Sequence, residues 1–185
     1  MPPLTLDGTT GVSAVQTGAV ESGDLFAGFA NGITSVTEFR LTANLVGVDQ
    51  IISSNIEKTD DPSSGSIGPD VIESSGVFTF PSTGVWIIIA NASISSSGDP
   101  FSALATEVSV DGGSSFVERA RSLDGNRQTA STGAQVSSTV IINVDNISNV
   151  QVLFRKASFE SDTELFGNPD VNQTHFAFIR LGDAQ

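Results

Sequence analysis

From residue 36 to residue 181 the chain repeats with a period of two, and that period admits strands and little else. Over residues 36–45 the odd positions Phe39, Leu41, Ala43 and Leu45 are apolar, while Glu38, Arg40, Thr42 and Asn44 are polar. One face of that segment belongs in a core. Residues 77–80 (Val-Phe-Thr-Phe) end at Pro81-Ser82-Thr83-Gly84, and the next run, 85–90, is apolar at every position, as expected of a central strand buried on both sides. Leu104, Thr106, Val108 and Val110 alternate into Asp111-Gly112-Gly113, whose glycines supply the positive φ of a hairpin turn, and Phe116-Val117 begins the return. Residues 136–144, 150–154 and 175–181 complete a set of roughly eight strands, with Asp145-Asn146 and Asn168-Pro169 as turn chemistry between them. No long helical stretch competes. The expectation is an all-β, antiparallel sandwich or jelly roll.

Charge and composition narrow what such a fold can do. Among 185 residues, 21 acidic side chains face 8 basic ones, so the formal net charge is −13 and the isoelectric point is near 4.1. A nucleic-acid backbone or an anionic membrane would meet like charge, which argues against either as partner. No run approaches the ~18 apolar residues of a membrane span, and Met1-Pro2-Pro3 lacks the basic start of a signal peptide. With no cysteine, disulfides, thiolate metal sites and cysteine nucleophiles are excluded together, and His175 is the one imidazole.

Residues 1–32 differ from the rest. They are rich in Gly and Thr, poor in large apolar residues before Leu25, Phe26 and Phe29, and broken at Asp7-Gly8 and Gly11. A small strand at Leu4-Thr5-Leu6 and a short helix from a Ser22 cap to Phe29 are the expected local structures. Neither has the apolar surface to fold alone. The reading is therefore an extended N-terminal attachment arm, 1–32, followed by a jelly-roll domain, 33–185.

Three segments resemble one superfamily. Gly76-Val77-Phe78-Thr79-Phe80-Pro81-Ser82-Thr83-Gly84-Val85-Trp86 is similar to the strand, Pro-containing turn, Gly and aromatic-bearing strand of the complement globular-head and tumour necrosis factor jelly rolls. Residues 138–153 and the terminal Thr174-His175-Phe176-Ala177-Phe178-Ile179-Arg180-Leu181 resemble that family's penultimate strands and closing strand. The likeness spans about residues 36–181. It departs at Trp86, where Tyr is usual, in the complete absence of Tyr, and at the turn after Asp145, which lacks the usual Gly. The resemblance implies a homotrimer; no receptor-binding surface is carried over.

The segment from Leu4 to Gln16 resembles short N-terminal segments of tailed-bacteriophage virion proteins. Together the two resemblances imply a virion structural protein: a capsid decoration (cement) protein that binds as a trimer on the outer capsid surface. Its partner would be the major capsid protein of the same virion. Attachment would run through Leu4, Leu6, Val12, Val15, Leu25, Phe26 and Phe29. The alternative is a tail- or head-fibre knob that binds a host-surface receptor or glycan through loops 57–70 and 123–133.

Candidate chemistry is sparse. His175 shares one strand face with Ala177, Ile179 and Leu181, opposite Phe176 and Phe178, and no Ser-His-Asp arrangement surrounds it, so its expected role is structural. Glu57, Asp60, Asp61, Glu160, Asp162, Glu164 and Asp170 lack the spacing of a calcium loop and read as solvated loop charge, with no metal expected. Asp60 with Asp70 is the carboxylate pair a hydrolase would need; no enzyme activity and no cofactor are expected. Gly8, Gly11 and Gly18 form no phosphate cradle, since no Lys follows. The sequons at Asn91, Asn146 and Asn172 occur by chance in a Ser/Thr-rich chain. Arg119, Arg121 and Arg127 are the one basic cluster and read as plain surface, the alternative being a salt-bridged rim against an acidic subunit.

Overall fold

A computed structural model describes residues 32–96, 101–125, 132–158 and 163–185, with 96, 132 and 158 described by backbone alone. The expectations placed on residues 1–31, including the short strand, the helix and all seven attachment residues, lie outside the described residues.

The described residues form strands β1 (Val36–Leu41), β2 (Leu45–Val46), β3 (Gln50–Ile51), β4 (Ile56–Lys58), β5 (Ile72–Ser74), β6 (Val77–Thr79) and β7 (Gly84–Ser96). They continue with β8 (Phe101–Ser109), β9 (Val117–Gly125), β10 (Thr132–Val144), β11 (Gln151–Ser158), β12 (Glu164–Leu165) and β13 (His175–Gly182). Every pairing is antiparallel. Eight strands make two four-stranded leaves: β10-β7-β13-β1 in one, β6-β11-β8-β9 in the other. The short strands extend the edges, with β4 beside β1, β5 beside β6, β3 beside β11, and β12 linking β7 to β2. This is the jelly-roll architecture.

The inward face of each leaf follows from the period-2 pattern. On β7, Trp86, Ile88 and Ala90 are fully buried, and on β13 so are Phe176 and Phe178. From the other leaf Phe78, Val152 and Phe154 meet them, all fully buried. Phe78 sits at the centre: its ring centroid lies 5.1 Å from Phe39, 5.1 Å from Phe178, 5.3 Å from Phe154 and 6.0 Å from Phe176. Phe154 and Phe176 stack with centroids 4.0 Å apart across the two leaves. Near the β9/β10 flank the buried hydroxyls of Thr106 and Ser138, 3.3 Å apart, satisfy each other between the leaves.

Two sequence expectations change. The first strand stops at Leu41 rather than running to residue 45, leaving Ala43 exposed. There the Thr42 amide turns away to the Asn55 carbonyl, the Asn44 side chain bonds the Gly167 amide, and Gly167 packs so tightly on the Ala43 backbone that a Cβ would lie 2.3 Å from its carbonyl oxygen. Residues 85–90 form part of a central strand as expected, but only one side of it is core. Val85, Ile87 and Ile89 point away from the other leaf and are half-buried.

The Asp111 turn joins β8 to β9 as expected, and its side chains explain why. The Asp111 carboxylate accepts from the Ser115 amide at 2.9 Å, the Ser115 hydroxyl at 2.5 Å and the Ser109 hydroxyl at 2.7 Å. Those bonds, the one from the Ser115 side chain foremost, hold its pKa down to about 2. A carboxyl with a depressed folded-state pKa adds stability that is complete above its unfolded value and is lost as pH falls toward the folded one. Asp111→Asn is therefore expected to flatten the stability profile between about pH 4 and pH 2, which urea unfolding at stepped pH would measure.

Candidate functional site

Two surface features are built by this fold: an apolar outer face on the β10-β7-β13-β1 leaf and a polar cup beside β4. On the outer face the register aligns Val36 with Ile179, Ile179 with Ile87, and Ile87 with Ile141. Four aliphatic side chains thus cross four strands in one line, and Ile141 is 61% exposed. The line toward Asn91 is polar: Arg40 pairs with His175, His175 with Asn91, and Asn91 with Ser137. Asn91 Nδ2 lies 3.0 Å from His175 Nε2, while His175 Nδ1 is buried without a hydrogen-bond partner.

Arg40 is buried although it stands on this outer face, because the chain after β4 folds over it. Its guanidinium donates to Glu57 at 2.8 Å and to Asp60, and the Glu57 hydrogen bond foremost raises its pKa above the ordinary guanidinium value. The same excursion encloses the cup, a cleft of roughly 160 Å³ lined by Glu38, Lys58, Thr59, Asp60, Asp61 and the serines around Gly65. Lys58 reaches out of it to Asp70 at 2.5 Å. Asp61 accepts from the hydroxyl and amide of Ser63, which hold its carboxyl below the usual range. The Thr59 hydroxyl is buried without a hydrogen-bond partner. The cup can accept hydrogen bonds from a polyhydroxylated or ammonium-bearing ligand.

The residues singled out from sequence fall as follows. His175 does share the outer face with Ala177, Ile179 and Leu181, opposite buried Phe176 and Phe178. Asp60 and Asp70 do not form a free carboxylate pair: each is held by its own cation, Arg40 and Lys58. Among the described residues no group of three His, Asp or Glu side chains is placed to hold a metal ion. Glu164 takes the Asn44 amide at 2.7 Å. Arg121 forks onto Glu118 of its own strand, Arg119 is exposed, and Arg127 with Glu160 and Asp162 lies outside the described residues. Asn146 is spent on its own turn, accepting from the Ser148 amide.

Sequence reasoning missed two features. The apolar outer row was absorbed into the core, although an all-apolar run on a strand is ambiguous between a second buried layer and an uncovered face. Lys156 is fully buried and donates to the carbonyls of Gly47 and Thr163, stitching two loops at one end of the sandwich. Its position on β11, continuing the inward series Val152 and Phe154, was the available signal.

The class this geometry defines is the tumour necrosis factor-like jelly roll. Two crystal structures of murine APRIL superpose with TM-scores of 0.59 and 0.60 at 9% identity, each covering 80% of this chain and 98% of the other. The structure of Eiger TNF from S. frugiperda superposes with a TM-score of 0.56 at 11% identity, over 84% of this chain and 96% of that one. At such identity the likeness is one of fold. No protein-family model matches the sequence, and no curated protein does.

Proposed function

We propose that the protein is a non-enzymatic bacteriophage virion protein that assembles as a homotrimer on the outer capsid surface and stabilises the shell. The observation that carries this reading is the union, in one short chain, of a tumour necrosis factor-like body with a Gly- and Thr-rich leading stretch too poor in apolar surface to fold alone. Binding to an assembled shell but not to free subunits adds stability by mass action where packaged genome stresses the joints between subunits. A closed three-fold contact suits such a joint, because it leaves no open-ended interface.

The test is sedimentation of the protein with expanded empty capsids of its virus. A saturable ratio and a raised capsid Tm are expected. Removing residues 1–30 is expected to abolish co-sedimentation while the β domain keeps its far-UV signature; retained binding would refute the role of Leu4 to Phe29.

A fibre knob that binds host-surface glycan is the second reading, and the polar cup favours it, since it lies in one of the two loops such recognition would use. A glycan-array signal lost in Glu38→Gln would put this reading first. Silence across the array would leave the capsid reading standing.

A further inference from the structure

The cup beside β4 is small and polar throughout. Its roughly 160 Å³ is about the space that admits a single six-membered ring. The lining holds the carboxylates of Glu38, Asp60 and Asp61, the ammonium of Lys58 and several hydroxyls, with no aliphatic or aromatic residue among them. The carboxylates are not equivalent. Asp60 is held by Arg40 and Asp61 by Ser63, each through one oxygen, while Lys58 is drawn away to Asp70. Glu38 stands half-buried on β1, and among the described residues its carboxylate meets neither a cation nor a hydrogen-bond donor. A carboxylate taken partly out of water without a partner costs free energy that a ligand can return. The Thr59 hydroxyl, part of the same lining, is likewise buried and unsatisfied. Buried polar atoms in native structures are ordinarily satisfied, so this one calls for a donor or acceptor from outside the protein.

What the cup lacks defines what it takes. With Lys58 spent, acceptors outnumber donors, so a ligand must bring donors, and one that also brings positive charge gains most against Glu38. A lysine side chain of a partner protein would supply an ammonium, but its hydrocarbon stem packs best on apolar surface, and the cup has no such wall. A sugar ring carries hydroxyls in place of that stem, and the second oxygens of Asp60 and Asp61 can accept from them.

We propose that the cup binds one amino-sugar unit, a six-membered polyhydroxylated ring with a free, protonated amine, and that the ammonium sits on Glu38. The inference rests on the glycan-binding reading of loop 57–70 and adds which kind of sugar the loop selects. The test is calorimetric titration of the full chain with glucosamine and galactosamine, against their N-acetyl forms and the parent hexoses. It is run at about pH 6, below the range of such amines, with backbone amide shifts to locate the ligand. At least one free amino sugar is expected to bind about tenfold or more tighter than its N-acetyl and parent forms and to shift amides within residues 58–66. Glu38→Gln keeps the size of the side chain and is expected to abolish that preference. Asp145→Asn, at an exposed carboxylate in the turn after β10, is expected to keep it, which separates the site from the general pull of a chain of net charge −13. Neutral sugars that bind at 58–66 as tightly as amino sugars would overturn the inference and leave the glycan reading standing. Equal or tighter binding of Nα-acetyl-lysine amide would overturn it in favour of a protein's lysine. No shift at 58–66 with any sugar, or equal loss in Asp145→Asn, would overturn it together with the cup as a glycan site.

Discussion

Phe78→Ala is expected to lower the free energy of unfolding by about 3–5 kcal/mol, the cost of removing a fully buried aromatic ring whose neighbours cannot close the gap. Phe78 is the ring through which the two leaves meet: Phe39 and Phe178 come to it from one leaf, Phe154 from its own. Each edge-to-face contact adds to the area term, so the loss is larger than transfer of one ring implies. Of the 5–15 kcal/mol that holds a typical domain folded, this is about a third. Urea unfolding of the variant beside wild type checks it. The midpoint is expected to fall with the slope unchanged. A change under about 1 kcal/mol would mean that the leaves repack around the missing ring.

Gly76→Ala is expected to cost about 1–3 kcal/mol from backbone strain alone, with a steric clash added. Gly76 turns β5 into β6 at φ +83°, and a Cβ there would lie 2.4 Å from the Ile52 carbonyl oxygen and 2.7 Å from Ser53 Cα. Those contacts are backbone, so no rotamer change relieves them. Ile52 is itself fully buried, its amide bonded to the Phe154 carbonyl. Relief must therefore move the segment that covers β11. Alanine at Gly65, where nothing lies within 4 Å, is the control and is expected to leave stability within about 0.5 kcal/mol. Parallel thermal unfolding of the two variants separates strain from mere loss of glycine.

These two positions also mark how far the sequence could be read. Gly76 and Phe78 belong to the stretch ending at Trp86 that most resembled the jelly-roll family, and the alternation of Phe176 and Phe178 against His175 and Ile179 assigned the faces of β13 before any pairing was known. Local periodicity and turn chemistry suffice for such elements. What they do not carry is partnership across the chain. That Arg40 would lie buried under Glu57 and Asp60, or that Lys156 would point inward to the Gly47 carbonyl, depends on loops brought together by the fold. The two-residue strands β2, β3 and β12 have no periodicity to read and exist because a neighbouring strand offers an edge. The outer row was visible as residues but not as a surface, since only the register aligns Val36 with Ile179 and Ile87 with Ile141.

The place of β13 has a consequence for how the molecule is made. Among the described strands β13, His175 to Gly182, comes latest in sequence, yet it lies between β1 and β7, in the interior of a leaf. During synthesis β1 and β7 both emerge before β13, and until β13 arrives each presents an unpaired edge. Such non-local closure is slow and exposes sticky intermediates. A chain without His175 to Gly182 would have a gap through the middle of that sheet and would be prone to aggregate.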